Sequence, residues 1–423
     1  MSRYRVPFAA RGSILGQREA AVLHQLVHED TVLSSGALRA EFERRMAAHL
    51  GVRHALSVTS GTVALELAIG LLDLAPGDEV LVTPQTFQAT VQPLLDTPAT
   101  VRFCDIDPAT ANIDPSRVEE MLTERTRAVV LVHYGGLPAD MDRITAATRP
   151  RGVVVIEDCA HALGADYRGR RPGSLGDIGC FSFHSSKNIT TLGEGGLITV
   201  DRDDWARRID RRRSNEVDAD LLVGPHPDAV PESLPWMRWS ERAYGQACSR
   251  VRRSGTNATL SEAAAAVGLV QLDRLPELHQ RRAHVAARLD EVLAGQEGVR
   301  LTRTEPGTRS GHHLYTFFVE RPGVRDALVR ALDARSVEVQ LRYFPQHLMP
   351  EWRARGPHGP GECPVAEASW FGGHMNLPCH PHLTDTQIDH LTDALDDALR
   401  EVSRAPSRPG ASDTEATSCP SST

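Results

Sequence analysis

The stretch SFHSSKNITTLGEGG, residues 182–196, contains one lysine, Lys187, between small hydroxylated residues and a glycine-rich turn. Apolar residues before it and the apolar run 197–200 after it predict two short buried strands joined by this loop. Lys187 is therefore either an ordinary solvated charge or a reactive amine that the loop holds in place. Nearly all basic residues of the chain are arginine, so a lysine in this setting is informative. Such an amine could act as a nucleophile and as a proton carrier.

A second motif, GVVVIEDCAH, could supply a carboxylate to the same site. It places Glu157 and Asp158 where an apolar strand ends, which is the edge at which parallel sheets bind ligands. His161 follows Asp158 by three residues, so one turn of helix would bring it to the same face. A carboxylate here could pair with a cationic ring nitrogen. It could equally well cap the following helix.

The tripeptide SGT, residues 60–62, joins a predicted strand to a predicted helix, so the N–H groups of Gly61 and Thr62 could bind a phosphate. A plain helix N-cap explains this tripeptide at least as well. Together, however, a phosphate cradle, a carboxylate and a lysine amine describe a site for pyridoxal phosphate (PLP). The phosphate anchors this cofactor, the carboxylate lets its ring accept electrons, and the lysine holds it as a Schiff base and moves protons.

The elements around these motifs predict an α/β fold with a large, mostly parallel sheet that is covered by helices on both faces. Strand-like and helical runs alternate between residues 51 and 200. We expect a large domain at 13–275, with a proline-rich insertion at 216–253, and a small C-terminal α+β domain at 276–402. The small and polar residues 403–423 predict a disordered tail.

Composition and charge limit the classes of function. The chain has 423 residues, a formal net charge of -8 at pH 7 and no apolar run long enough to span a membrane. These features argue against nucleic-acid and membrane partners, and the absence of a signal-like N-terminus predicts a cytoplasmic protein. Seven cysteines without a CxxC pair predict reduced thiols. The histidines lack the usual metal-binding spacings, so we expect no metal.

Several long motifs resemble the PLP-dependent sugar aminotransferases of the DegT/StrS family. They run over nearly the whole chain and include LSSGALRAEFERRMAAHLGVRHALSVTSGTVAL, APGDEVLVTPQTFQAT, VHYGGLPADMD, VVVIEDCAHALGADYRGRRPGSLGDIGCFSFHSSKNITTLGEGG, CPVAEAS and LPCHPHLTD. The resemblance implies fold type I of the PLP-dependent transferases, which is the fold of aspartate aminotransferase. It also implies PLP as the cofactor.

The resemblance further implies roles for single residues. Lys187 matches the Schiff-base lysine, Asp158 the partner of the pyridine nitrogen, and Phe87 the aromatic residue that stacks on the ring. His161 stands where relatives often have Gln, and either side chain can donate a hydrogen bond to the 3-oxygen of the ring. The residues that match phosphate-binding positions are Gly61, Thr62 and Ser182.

The motif GTNATL departs from the family pattern GxNxRL at one position. Gly255 and Asn257 fit the pattern, whereas Thr259 stands where Arg is common. In relatives this Asn reaches the cofactor phosphate of the neighbouring subunit, so the resemblance implies a homodimer with shared active sites. The threonine puts in doubt any contact that the arginine makes to substrate or phosphate.

The implied activity is transfer of an amino group from Glu or Gln to a keto-sugar. The expected acceptor is a nucleotide-linked keto-sugar in secondary-metabolite, such as antibiotic, or cell-surface sugar biosynthesis. A keto-inositol is the alternative, because QTFQATV and EDCAHALGA are also similar to aminocyclitol aminotransferases. Two further alternatives are a PLP-dependent sugar dehydratase, a branch in which His replaces the lysine, and a non-catalytic regulatory or binding protein. The presence of Lys187 argues against the first, and intact Lys187, Asp158 and SGT argue against the second.

Overall fold

The structure is a computed structural model of the chain. It describes residues 3–8, 11–216, 218–221 and 249–404. Most of the predicted insertion 216–253, and all but the first two residues of the predicted tail 403–423, lie outside the described residues. None of the helices in the described ranges combines the length and apolar character that a bilayer crossing requires.

Strands and helices alternate along the first half of the described chain, as the sequence predicts. The strands are β1 (His54–Val58), β2 (Glu79–Val82), β3 (Thr100–Phe103), β4 (Thr126–Val132), β5 (Val154–Asp158), β6 (Asp166–Tyr167), β7 (Ile178–Ser182), β8 (Gly196–Val200), β9 (Asp218–Leu221), β10 (Ser249–Arg253), β11 (Val299–Leu301), β12 (Thr308–Arg309), β13 (Tyr315–Val319) and β14 (His374–Leu377). The α-helices are α1 (Gln17–His28), α2 (Ala37–Leu50), α3 (Gly61–Gly70), α4 (Pro115–Met121), α5 (Met141–Thr148), α6 (Asp203–Arg213), α7 (Glu262–Leu293), α8 (Val324–Ala334), α9 (Pro350–Arg353), α10 (Pro364–Ala368) and α11 (Asp385–Arg404).

A seven-stranded mixed sheet in the order β1-β8-β7-β5-β4-β2-β3 forms the centre of the larger part. The five strands from β7 to β3 run parallel to one another, whereas β8 pairs antiparallel with both β7 and β1. Both faces of the sheet are buried: in β4, Val130 packs into one core with α3 and α6, and Val129 into another with α4 and α5. This confirms the predicted α/β fold class with a large, mostly parallel sheet.

The C-terminal part has a smaller antiparallel sheet in the order β11-β13-β14, and α7 connects it to the large sheet. Ser261 caps α7, because its hydroxyl accepts a hydrogen bond from the N–H of Ala264 at 3.2 Å. The predicted boundary between 275 and 276 falls inside this 32-residue helix. Val6, which precedes the predicted large domain, forms a bridge to Val337 and is buried in the C-terminal core. The division into two domains at these positions stays a prediction.

Candidate active site

A cavity of about 460 Å³ lies where β5 and β7 end, beside the N-terminus of α3. Sheets of this kind bind ligands at the carboxyl ends of their parallel strands. Seven of the eight predicted site residues line this cavity: Gly61, Thr62, Phe87, Asp158, His161, Ser182 and Lys187. The eighth, Asn257, does not line it. The fold therefore brings together side chains from several separate segments of the sequence.

Lys187 lies in the loop between β7 and β8, whose backbone is held by its own hydrogen bonds. The N–H of Lys187 donates to the carbonyl oxygen of His184 at 2.9 Å, and the N–H of Ser185 donates to the carbonyl oxygen of Gly193 at 2.8 Å. Gly193 has a φ of 132°, a backbone conformation that favours glycine. The side-chain amide of Asn188 donates to two main-chain carbonyls of neighbouring loops, at 2.9 and 2.8 Å. These bonds set the direction in which the lysine side chain leaves the loop.

The side chain of Lys187 is partly buried in the wall of the cavity, and desolvation lowers the pKa of its amine to about 8. The carboxylate of Asp158 opposes this shift, and the positive charge of Arg342 adds to it. A lowered pKa leaves a larger neutral fraction near pH 7 than an exposed lysine has, and only the neutral amine can act as a base or a nucleophile. Lys187 is also the only lysine in the whole chain.

We expect the extent of acetylation of Lys187 by acetic anhydride, in the cofactor-free protein, to rise with pH through a midpoint near pH 8. The pKa is lowered, so the reactive neutral amine is present at a lower pH than in an exposed lysine. Mass spectrometry of the peptide that contains Lys187 measures the labelled fraction without interference from other lysines. The matched control is Arg355→Lys at an exposed position, with an expected midpoint near 10.5, the ordinary lysine value. A midpoint for Lys187 as high as that of the control would contradict the prediction.

Asp158 is the last residue of β5, and its side chain is held by two hydrogen bonds. The hydroxyl of Thr90 donates to Oδ2 at 2.6 Å, and the N–H of Ala160 donates to Oδ1 at 2.9 Å. The hydroxyl of Thr86 lies 2.6 Å from that of Thr90 and is the donor of that pair, because the hydrogen of Thr90 is used on Asp158. The chain of hydroxyls thus orients the carboxylate. Sequence reasoning missed both threonines, although they lie in the quoted motif PQTFQAT.

The tripeptide SGT forms the N-terminus of α3 as predicted, and the helix N-cap interpretation of it is confirmed. Ser60 is the N-cap, since its hydroxyl accepts from the N–H of Val63 at 3.2 Å. The N–H groups of Gly61 and Thr62 make no hydrogen bond within the described ranges, and both residues line the cavity. A Cβ on Gly61 would lie 2.8 Å from the Cβ of Ser182, so glycine permits the close approach of α3 to β7. Two free amides at a helix N-terminus can bind an anion.

His161 is stacked between His313 and Tyr343, with ring centroids 4.2 and 5.9 Å away. Burial and the positive charges beside it hold the pKa of His161 well below its usual range, so the imidazole is neutral. The hydroxyl of Tyr343 lies 3.2 Å from Nε2, whereas the buried Nδ1 has no partner in the described part of the chain. The half-exposed ring of Phe87 lies 5.7 Å from that of Tyr343. His161 therefore keeps one ring nitrogen that a ligand could satisfy.

Glu157 and Asp158, which the sequence pairs as candidates, have different roles in the structure. Ligand atoms of Glu157, His133 and Cys159 lie within 4.8 Å of one another, a spacing that a metal could use. His133 Nδ1 accepts from the N–H of Ala139 at 3.1 Å, so its Nε2 carries the hydrogen and donates to Glu157 at 2.8 Å. The carboxylate also accepts three backbone N–H groups of the next loop. We therefore assign this cluster to holding the loop in place.

Arg342 and Tyr343 also line the cavity and were not found from the sequence. They lie in QLRYFPQHL, a segment of the C-terminal part in which no residue pattern distinguishes one arginine from the many others. His184 and Glu194 complete the polar lining on the side of the Lys187 loop, with His184 Nε2 3.7 Å from a carboxylate oxygen of Glu194.

Comparisons with known proteins identify the family of this chain. The family model of the DegT/DnrJ/EryC1/StrS aminotransferase family matches residues 13–396. GDP-perosamine synthase of Caulobacter vibrioides is 34% identical over 373 residues, which are 87% of this chain and 92% of that protein. The dTDP-3-amino-3,4,6-trideoxy-alpha-D-glucose transaminase of Streptomyces venezuelae is 33% identical over 406 residues, 95% of this chain and 98% of that protein.

A solved structure supports the same assignment at the level of the fold. The crystal structure of the aminotransferase TlmJ from Streptoalloteichus hindustanus matches with a TM-score of 0.81 and 31% identity, covering 94% of this chain and 100% of that one. The confirmed fold class is thus that of a solved aminotransferase. Since the family model spans nearly all of the described residues, this chain is an aminotransferase and belongs to the DegT/DnrJ/EryC1/StrS aminotransferase family.

Proposed function

We propose that this enzyme transfers an amino group from Glu or Gln to a nucleotide-linked keto-sugar, in amino-sugar biosynthesis for a secondary metabolite or a cell surface. The observation that carries the proposal is the amine of Lys187 in one cavity with Asp158 and the free amides of α3. The acceptor class is supported by two relatives whose names include GDP and dTDP. We keep a keto-inositol as the acceptor to be tested against it.

The residues of the cavity fit PLP, which membership of this family implies as the cofactor. The free N–H groups of Gly61 and Thr62 suit its phosphate, and Asp158 suits its ring nitrogen. The unpaired Nδ1 of His161 is available to the 3-oxygen of the ring. When bound, PLP supplies an electron-accepting ring that weakens the bonds at the carbon carrying the amino nitrogen.

Lys187 has two tasks in this proposal. Its amine would hold the cofactor covalently, and during the transfer it would take a proton from the substrate carbon and later give one back. A pKa of about 8 suits a group that must accept and give protons near neutral pH. Asp158 keeps the proton of the ring nitrogen in place, and its two hydrogen bonds fix its direction.

Visible absorption spectroscopy of the PLP-loaded enzyme tests the proposal. We expect a visible band that Glu or Gln bleaches and that a keto acceptor then restores. The acceptors to compare are dTDP-linked and GDP-linked keto-sugars, the same sugars without nucleotide, and a keto-inositol. Restoration by the keto-inositol alone would favour the aminocyclitol alternative. A band that neither amino acid bleaches would contradict the proposed donors.

The proposal includes a homodimer with shared active sites. Asn257 is exposed, pairs with Ser214 in an isolated bridge and lies away from the cavity lining of its own chain. It can therefore serve a cofactor phosphate only if it reaches the cavity of a second chain, as the resemblance implies. Thr259, which replaces the common Arg, forms a bridge to Val58 at the end of β1.

A further inference from the structure

Arg342 is the one arginine that lines the active-site cavity among the described residues. Its guanidinium carbon lies 6.0 Å from the centroid of the Tyr343 ring, and the hydroxyl of Tyr343 lies 3.2 Å from Nε2 of His161, so the guanidinium lines the same part of the cavity as these site residues. Its positive charge also lowers the pKa of Lys187. Arg342 forms no ion pair within the described ranges, although Asp158 and Glu194 line the same cavity. A guanidinium without a carboxylate partner beside the reactive lysine is available to a substrate anion.

The backbone of Arg342 is held by three buried side chains. Its N–H donates to Oδ1 of Asn376 at 3.0 Å, and its carbonyl oxygen accepts from the amide of Gln85 at 3.1 Å and from the hydroxyl of Tyr134. All three side chains are almost fully buried. The position from which the arginine side chain starts is therefore defined before any substrate binds.

The guanidinium is oriented by one neighbour, and its far end remains open. Oε1 of Gln340 accepts from Nε at 3.0 Å and from Nη2 at 2.5 Å, which uses one edge of the group. The two hydrogens of Nη1 and the second hydrogen of Nη2 have no partner in the described structure. These hydrogens lie at the end of the guanidinium, where a carboxylate can bind with both oxygens.

The position of Arg342 near the amine selects one substrate anion over another. The carbon that reacts must come to Nζ of Lys187, and the α-carboxylate of an amino acid is attached directly to that carbon. The diphosphate of a nucleotide-linked sugar is separated from its keto carbon by part of the sugar ring. We infer that Arg342 binds the α-carboxylate of the amino donor, an inference that rests on the proposed transfer from Glu or Gln.

This assignment predicts that Arg342 serves only the donor half of the reaction, because the keto-sugar has no carboxylate at its reacting carbon. We expect Arg342→Gln in the PLP-loaded enzyme to raise the donor KM about 10- to 100-fold, the range for losing a hydrogen-bonded charge, and to leave the acceptor KM unchanged. Arg342→Lys should recover part of the loss, because it keeps the charge but not the two-pronged geometry. Arg355→Gln, an exposed position in the same part of the chain, is the matched control.

Binding measurements separate the α-carboxylate from other contacts. The probes are the α-methyl analogues of Glu and Gln, which bind but have no α-proton to lose, and 4-aminobutanoate and 4-aminobutanamide, which lack the α-carboxylate. Calorimetry should show that Arg342→Gln weakens the first pair about 10- to 100-fold and leaves the second pair unchanged. Inhibition by dTDP and by GDP should also be unchanged.

Three outcomes would overturn the inference. Equal weakening of both pairs of probes would mean that Arg342 acts through packing. Weaker inhibition by dTDP or GDP with unchanged donor analogues would assign Arg342 to the diphosphate. Unchanged binding of every probe would leave Arg342 without a ligand. A wild-type enzyme that binds no donor analogue would overturn the proposed donors as well, which distinguishes failure of the proposed function from failure of this inference.

Discussion

Lys187→Ala is expected to abolish the covalent attachment of PLP and to reduce amino transfer about 10⁴-fold, the upper range for losing a positioned acid–base group. The reason is that one amine performs both tasks and the chain has no other lysine to replace it. Reduction of the loaded wild-type enzyme with borohydride, followed by peptide mapping, should place the cofactor mass on the peptide that contains Lys187. The variant should give no such peptide and no visible band.

Lys187→Arg provides the control for charge. It keeps a positive charge but is not a nucleophile at neutral pH, so it should lose attachment and turnover as completely as alanine does. If instead the alanine variant kept substantial turnover of a sugar substrate, the dehydratase alternative, in which no lysine is required, would be favoured. Attachment of PLP to another residue would contradict the assignment of Lys187.

The second large effect is expected when two inactive variants are mixed. In a dimer with shared sites, each cavity uses Lys187 of one chain and Asn257 of the other. Asn257→Asp would place a carboxylate beside the cofactor phosphate and weaken cofactor binding about 10²-fold, because like charges repel at close range. A heterodimer of Lys187→Ala and Asn257→Asp chains would have one cavity with both substitutions and one with neither. After dissociation and reassociation at limiting PLP, activity should recover to about a quarter of wild type.

The control for this experiment is a chain that carries both substitutions. Mixed in equal amounts with wild type, it forms heterodimers in which neither shared cavity is intact, so only the wild-type homodimers, about a quarter of the dimers, should be active. Activity of about half of wild type in that mixture, or no recovery in the first one, would argue that each chain builds its site alone. Sedimentation of the mixtures checks that dimers have formed in both cases.

The sequence by itself determined the parts of this protein that depend on local patterns. Apolar runs with period and length typical of buried strands predicted the central sheet, and the fold class is confirmed. The SGT tripeptide predicted a helix start, and Ser60 caps α3. Because parallel strands end at one edge, Asp158 and the Lys187 loop were expected together, and they line one cavity. The long family motifs predicted the family, whereas the roles of the single site residues stay predictions.

Only the tertiary structure decided which other groups surround Lys187. Arg342 and Tyr343 come from the C-terminal part of the chain, and Thr90, which precedes β3, donates a hydrogen bond to Asp158. Contacts between such distant segments depend on packing and leave no local pattern in the sequence. The role of Glu157 was also decided by the tertiary structure. Its carboxylate accepts hydrogen bonds from His133 and Gly173, which are distant in the sequence, and so its role differs from that of Asp158. The lowered pKa of Lys187 is likewise a property of the assembled cavity, because desolvation acts only after the surrounding elements have excluded water.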